Sequence, residues 1–330
     1  MICGINNWQG TVIFGNNKID WLRKFFPYKN GISSPDTLER VFSMLDSDHF
    51  ERCFRNWVKS ISKLSDGELV AIDGKCMRGS YDNYSGQKAR HVVSAYATHA
   101  HLCLGQQITD QKSNEITAIP ELLDALALKG CTVSIDAMGC QKDIAVKIRD
   151  KNADYILAVK QNQKGLHEQV EKVFALTGIT CEDTDISTGH GRVETRKCSM
   201  INDLTFLDQK EDWIDIRSII RIESERYDKT SAKTTNKTRY YISSADCNAQ
   251  YFNKKIRSHW AIENNLHWML DISFGEDSSR RRKNNHAINF NIMAKTALTL
   301  IKHSLHKMPV SHKKRHAILD DNFRENILGV

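Results

Sequence analysis

The sequence predicts an α/β fold in which an antiparallel meander of three strands leads into β/α units, behind a small helical segment. Three observations predict it. From Gly67 onward the apolar spacing changes from a helical to a strand-like period. Three strand-like runs then follow one another before any helix intervenes. The runs at 69–73 and 131–136 each end in an aspartate followed closely by a glycine.

Residues 1–64 read as helical and separate. Ile19, Trp21, Leu22, Phe25 and Phe26 form an apolar cluster ahead of Pro27. Ser34-Pro35-Asp36 is a helix start, followed by Leu38, Val41, Phe42 and Leu45 at helical spacing. Phe50, Phe54, Trp57 and Ile61 continue that period in another helix. Ile2, Cys3 and Ile5 lack an evident apolar partner, so the segment is expected to begin partway into its pattern.

The run Leu69-Val70-Ala71-Ile72-Asp73 is a buried strand ending in a carboxylate. Strands are expected at 91–97 and 102–108, then a helix with Pro120 in its first turn and a stop at Lys129-Gly130. A fourth strand at 131–136, a helix at 141–151 and a fifth strand at 154–159 complete the order β-β-β-α-β-α-β. That order is the ribonuclease-H-like arrangement; a doubly wound fold would alternate from its first strand. In such a sheet strands one and four are neighbours, so Asp73 and Asp136 converge at their carboxyl ends. A β-rich insertion over about 180–250 follows, with strands at 192–200, 215–223 and 238–244. A long helix spans 284–305, and residues 306–330 read as a basic, frayed tail.

The stretch IRSHWAIENNLHWMLD, residues 256–271, reads as one amphipathic helix with His259, Glu263 and His267 at i, i+4 and i+8. Glu263 is expected to meet Asp73 and Asp136. Two-metal phosphoryl chemistry needs several carboxylate oxygens around ions about 3.5–4 Å apart. Magnesium or manganese suits such a set better than zinc. A strand-end aspartate alone reads as a turn cap, and Glu263 could equally pair with a histidine or Arg257 on a solvated face. A mononuclear zinc site fails on spacing, because His259 and His267 lie two helical turns apart, roughly 12 Å.

His190, Arg192, Glu194 and Arg196 alternate onto one strand face. They read either as a solvated ion-pair ladder or as guanidinium contacts to phosphate held by Glu194. The run Arg280-Arg281-Arg282-Lys283, just beyond the Glu263 helix, reads either as a solvated basic face or, near the proposed active edge, as contacts to a DNA backbone. Lys160, with Asn162, Gln163 and Lys164, follows strand five and could also touch DNA.

Composition excludes several classes. Nine cysteines, an odd number with no CxxC pair, argue against a disulfide framework or a zinc ribbon and for reduced thiols. No apolar run approaches the ~18 residues of a membrane span, and the start has no basic segment ahead of an apolar core. A cytoplasmic location is expected. The net charge of +7 is compatible with a polyanionic partner and does not by itself demand one.

The segments AIDGK (71–75), KSNEITAIPELL (112–123), SIDAMGCQ (134–141), LAVKQNQ (157–163), GHGRVETR (189–196) and HWAIENNLHWMLDISFGED (259–277) resemble a known family. It is the DDE transposases of the H-repeat-associated, ISAs-type insertion sequences. The helical part through IDWLRKFFPYKNGISSPDTLERVF resembles that group's associated N-terminal segment. The resemblance implies a ribonuclease-H-like core over 65–305 with a β insertion, and catalytic and metal-binding roles for Asp73, Asp136 and Glu263. Where related transposases carry a Tyr-Arg-Glu-Lys signature, this chain has Ile256, His259 and Leu270 around Glu263. The activity implied is Mg2+- or Mn2+-dependent cleavage at element ends and strand transfer into target DNA, with two ions. The partner is double-stranded DNA, bound by a homodimer or larger synaptic assembly. A DDE-fold nuclease without strand transfer, and an inactive DNA-binding relic, are the rival readings.

Overall fold

The apolar run at 69–72 becomes the first half of a central strand, and the sheet grows outward from it on both sides. The computed structural model describes residues 1–62, 64–81, 84, 86, 88–109, 115–189 and 191–330. His190 and residues 112–114, parts of motifs quoted above, lie outside the described residues.

Strands β1 (Leu69–Met77), β2 (Arg90–Ala97) and β3 (Leu102–Thr109) form the antiparallel meander. Helix α5 (Glu115–Asp124), β4 (Thr132–Ile135), α6 (Lys142–Asp150), β5 (Asp154–Val159) and α7 (Lys164–Leu176) follow. β1, β4 and β5 are parallel neighbours, as expected for strands one and four. Four further strands, β6 (Cys181–Gly189), β7 (Arg192–Ile201), β8 (Ser218–Asp228) and β9 (Lys233–Ser243), extend the same sheet, because β9 pairs antiparallel with β5. The molecule is therefore a mixed α/β fold on one nine-stranded sheet, ordered β3-β2-β1-β4-β5-β9-β8-β7-β6.

Several boundaries differ from expectation. β1 does not end at Asp73 but runs on to Met77, since Gly74–Met77 keep pairing with β2 after β4 has stopped. Pro120 sits inside α5 rather than in its first turn; the helix begins at Glu115, so the proline lies mid-helix, where its missing N–H removes a bond. β6 and α7 join the expected elements. The long helix expected at 256–271 is broken up: α8 (Ala249–His259) ends at Trp260, a π-helical turn spans Glu263–His267, and α9 (Trp268–Phe274) completes the rod.

Of the N-terminal helices, α1 (Trp8–Asn17) starts on Asn7 and α2 (Ile19–Leu22) buries Trp21. α3 (Pro35–Met44) has Ser34 accepting from the Thr37 amide with Pro35 in the first turn, as its sequence predicts. α4 (Ser47–Ile61) is capped by Asp46 and places Phe54 and Val58 in the same apolar cluster as β1–β5. α10 (His286–His303) runs between this helical group and the sheet. Its Asn289 donates to the carbonyls of Phe42 and Leu45 at 2.9 Å each.

The segment expected to be a frayed tail forms α11 (Val310–Leu319) and α12 (Asp321–Leu328). Ala317, Phe323 and Ile327 join the main apolar cluster, and the charged residues find internal partners. Lys314 donates to the Ser273 carbonyl and covers the Phe274 ring, and the Arg324 guanidinium stacks over Trp21 at 4.0 Å. No helix among the described residues is long and apolar enough to cross a membrane.

Candidate metal centre and nucleic-acid groove

β1 and β4 run parallel with Ile72 opposite Ile135 as their last paired residues. The next residue on each strand is an aspartate, so register alone brings Asp73 and Asp136 side by side. Asp136 turns its chain into a short 3-10 turn and accepts from the Met138 amide at 3.0 Å. Asp73 accepts from the Gly74 amide at 2.9 Å. The first residue of the π-helical turn, Glu263, faces both across a cavity of about 220 Å³ lined also by Lys160, Arg239 and Trp260. The three predicted carboxylates thus share one cavity. Among the described residues, however, the ligand atoms of this cavity that all lie within 4.8 Å of one another belong to Asp73, Glu263 and His267; Asp136 lines the same cavity outside that group.

The two histidines of the helix face different ways. His259 lies 2.8 Å from Ser134 Oγ, and burial holds its imidazole down at about 4, so it is a neutral prop beneath the cavity. His267 presents Nδ1 at 3.1 Å from Glu263 Oε2 and 3.6 Å from Asp73 Oδ2. The pair could not share one zinc ion.

Burial pushes the Asp73 carboxyl up to about 6; His267 opposes the rise, while Asp136 and Glu115 add to it. Burial also raises Asp136, again with help from Glu115. Glu263 is lowered, chiefly by its hydrogen bond with His267. Glu115 was not singled out by the sequence. It pairs with His91 at 2.7 Å directly over Gly74, where a Cβ would collide with both side chains. Gly74 is therefore required by the close approach of Glu115 to β1.

Lys75, two residues beyond Asp73 and on the same face, reaches Glu276 Oε2 at 2.7 Å and also bonds Asp271. Asn291 of α10 donates to the other oxygen of Glu276. This knot ties β1 to α9 and α10 and fixes the π-helical turn relative to Asp73. The acidic group Asp271, Glu276 and Asp277 is thereby already occupied by a lysine.

Beside the carboxylate cavity, β6, β7, β8, β9 and α8 line an open groove of about 850 Å³. Arg192 and Arg196 line it, on one face of β7 with Glu194. Arg226, Lys237, Arg239 and Arg257 join them, and no local sequence pattern had pointed to these four. Arg239 and Trp260 belong to both groove and cavity. Arg192 is paired with Asp228 at 3.4 Å. Arg196 is only 3% exposed; its Nε donates to Asn253 at 2.8 Å, and Nη2 has no hydrogen-bond partner among the described residues. Lys160 lines the carboxylate cavity. The run at 280–283 divides. Arg281 donates to the Asn6 carbonyl and stacks on Phe290, Arg282 lies over Tyr81 at 5.2 Å, and Arg280 and Lys283 are exposed. Arg281 is thus a strut between the N-terminal segment and α10 rather than a surface cation.

The chain matches the family model described as "Transposase DDE domain" over residues 64–300, and "DDE_Tnp_1-associated" over 1–58. It is 41% identical over 341 residues to "Putative transposase YncI" of Escherichia coli O157:H7, covering 100% of this chain and 86% of that one. It is 37% identical over 346 residues to "H repeat-associated putative transposase YhhI" of Escherichia coli (strain K12), covering 100% of this chain and 89% of that one. Among solved structures, a chain of the piggyBac transposase synaptic complex with hairpin DNA is similar at a TM-score of 0.46 and 11% identity, covering 97% of this chain and 72% of that one. With its family model spanning most of the chain and relatives of this identity aligned over its whole length, the protein belongs to the H-repeat-associated DDE transposases.

Proposed function

We propose that this chain is an insertion-element transposase, which cuts the phosphodiester at the element ends and joins the freed 3′ hydroxyl to target DNA. The observation that carries the reading is the cavity holding Asp73, Asp136 and Glu263, opening through Arg239 and Trp260 into a groove lined by arginine and lysine. The strand order β3-β2-β1-β4-β5, antiparallel then parallel, supports reading the core over 65–305 as ribonuclease-H-like. Residues 1–64 are then its associated helical segment, β6–β9 its insertion, and 306–330 a C-terminal appendage.

The donor set fits divalent cations. Burial raises the proton affinity of both aspartates, Asp136 adds to the rise at Asp73, and a hard cation between oxygen donors relieves that cost. Asp73, Asp136 and Glu263 would hold Mg2+ or Mn2+. When bound, two such ions supply activation of the attacking oxygen and stabilisation of the leaving one. The remaining work falls to the chain. Lys160 and Arg239 put positive charge on the cavity wall against a phosphate. The Lys75 knot holds Glu263 on its turn opposite the two aspartates. No side chain forms a covalent intermediate, so cleavage and joining are two uses of one arrangement.

The groove is read as the DNA path, and Arg280 and Lys283 as further exposed cations toward the DNA. The groove's own exposed cations are Arg192 and Arg257, paired with Asp228 and Glu194, and Arg226 and Lys237, on adjacent strands. Reversing the last two, Arg226→Glu with Lys237→Glu, is expected to weaken DNA binding about tenfold or more. It should also lower the slope of log K against log salt by about 2, since each phosphate contact contributes about 0.9. Fluorescence anisotropy across a salt series reads both. An unchanged slope would place the DNA elsewhere.

Labelled duplex carrying the element end, with Mg2+ or Mn2+ and a target plasmid, separates the readings. Nicked ends that become joined to the plasmid are expected. Nicking without joining would make the protein a nuclease, and binding without either would make it a relic. The working form is expected to be a dimer or larger assembly in the bacterial cytoplasm, bridging two ends.

A further inference from the structure

The geometry points to His267 as a metal ligand in its own right, giving the cation between Asp73 and Glu263 a mixed nitrogen and oxygen shell that holds Mn2+ in preference to Mg2+. This rests on the metal-site reading above and departs from the all-carboxylate set expected there.

Three observations carry it. His267 Nδ1 is 3.1 Å from Glu263 Oε2 and 3.6 Å from Asp73 Oδ2, and the ligand atoms of all three lie within 4.8 Å of one another. Ligands on one cation, each at about 2.0–2.2 Å, sit roughly 3–4 Å apart. A cation held between Asp73 and Glu263 would therefore have the ring nitrogen within ligand reach. Second, the ring is 2% exposed and cannot turn aside. The π-helical turn fixes it, and Lys75 approaches its backbone carbonyl at 3.5 Å. Third, Nε2 is buried without a hydrogen-bond partner among the described residues, so Nδ1 is the ring atom turned toward the two carboxylates.

The alternative is a strut, with Nδ1–H donating to Glu263 and no contact to metal. The two differ in selectivity. Imidazole is a borderline-soft ligand that Mg2+ accepts poorly and that first-row ions accept increasingly well from Mn2+ onward. A strut would support both ions alike by holding Glu263 in place.

The test uses the full-length protein stripped of metal, without DNA. Mn2+ binding is followed by electron paramagnetic resonance and Mg2+ by competition. Wild type is expected to bind Mn2+ at least about tenfold more tightly than Mg2+. Its pulsed spectrum should show coupling of the Mn2+ electron spin to an imidazole ¹⁴N. His267→Gln should lose that coupling and about tenfold in Mn2+ affinity, with Mg2+ affinity changed by no more than about twofold. Equal losses for both ions, or a wild-type spectrum without nitrogen coupling, would establish the strut and overturn the proposal, as would absence of Mn2+ binding. The wild-type spectrum decides the matter even if the variant does not fold. Nicking assayed on the same preparation keeps the two readings apart. Nitrogen-coupled Mn2+ without nicking removes the transposase activity and leaves the ligand. Nicking without nitrogen coupling does the reverse.

Discussion

Asp136→Ala should lower the rate of element-end nicking by about a thousandfold or more while leaving DNA affinity within about threefold of wild type. At about 1.4 kcal/mol per decade this is roughly 4 kcal/mol of transition-state stabilisation, in the range a carboxylate ligand supplies to phosphoryl chemistry. The side chain accepts a hydrogen bond from the Met138 amide of its own turn, and it lies on the carboxylate cavity rather than in the basic groove. Loss of that cap costs about 1 kcal/mol of stability, too little to unfold a chain of this size. Single-turnover nicking with Mn2+, beside an anisotropy titration, reads the two effects separately. Nicking that persists in the variant would show that the cut is made without this carboxylate, and the reading of Asp73, Asp136 and Glu263 as one centre would go with it.

The two aspartates were legible because the strands that carry them are continuous apolar runs, and parallel neighbours bring equivalent positions together. The sequence suggested that both residues end their strands. The structure shows instead that they follow the last shared parallel pair, while β1 continues on its other edge. What stayed hidden has physical causes. β6 is a polar edge strand, CEDTDISTG, without the apolar alternation that marks a half-buried strand. The cations of the groove come from β7, β8, β9 and α8 and meet only through sheet register, which pairs Glu194 with Arg226. The tail looked frayed because KKRH is charged, yet Lys313 and Lys314 bury their stems and reach backbone carbonyls. α7 is different: Leu166, Val170, Val173 and Phe174 stand at helical spacing, a signal present in the sequence itself. The π-helical turn has no such signature. Its extra residue per turn becomes visible only where Glu263 and His267 meet Asp73.

Asp73→Asn should make the metal-free protein more stable at pH 7 while removing its nicking activity. The Asp73 carboxyl rises from 3.8 to about 6 on folding, chiefly through burial. A raised carboxyl means the native state binds the proton more tightly than the unfolded one, so ionisation costs native stability. The cost is absent below pH 4, grows between pH 4 and 6, and is complete above 6. At about 1.4 kcal/mol per pH unit it reaches roughly 3 kcal/mol. Asparagine keeps an oxygen for the Gly74 amide and carries no charge, so it escapes the penalty. Metal-free Asp73→Asn should therefore melt roughly 4 °C above wild type at pH 7 and level with it near pH 4. Adding Mn2+ reverses the order. A ligand that binds only the native state stabilises wild type according to its concentration relative to Kd, and the variant, lacking a ligand, gains little. Calorimetry at pH 4 and 7, with and without Mn2+, gives four comparisons with fixed signs. A metal-free variant less stable than wild type at pH 7 would mean that Asp73 is held by attraction within the fold, and that its buried charge is not kept for a cation.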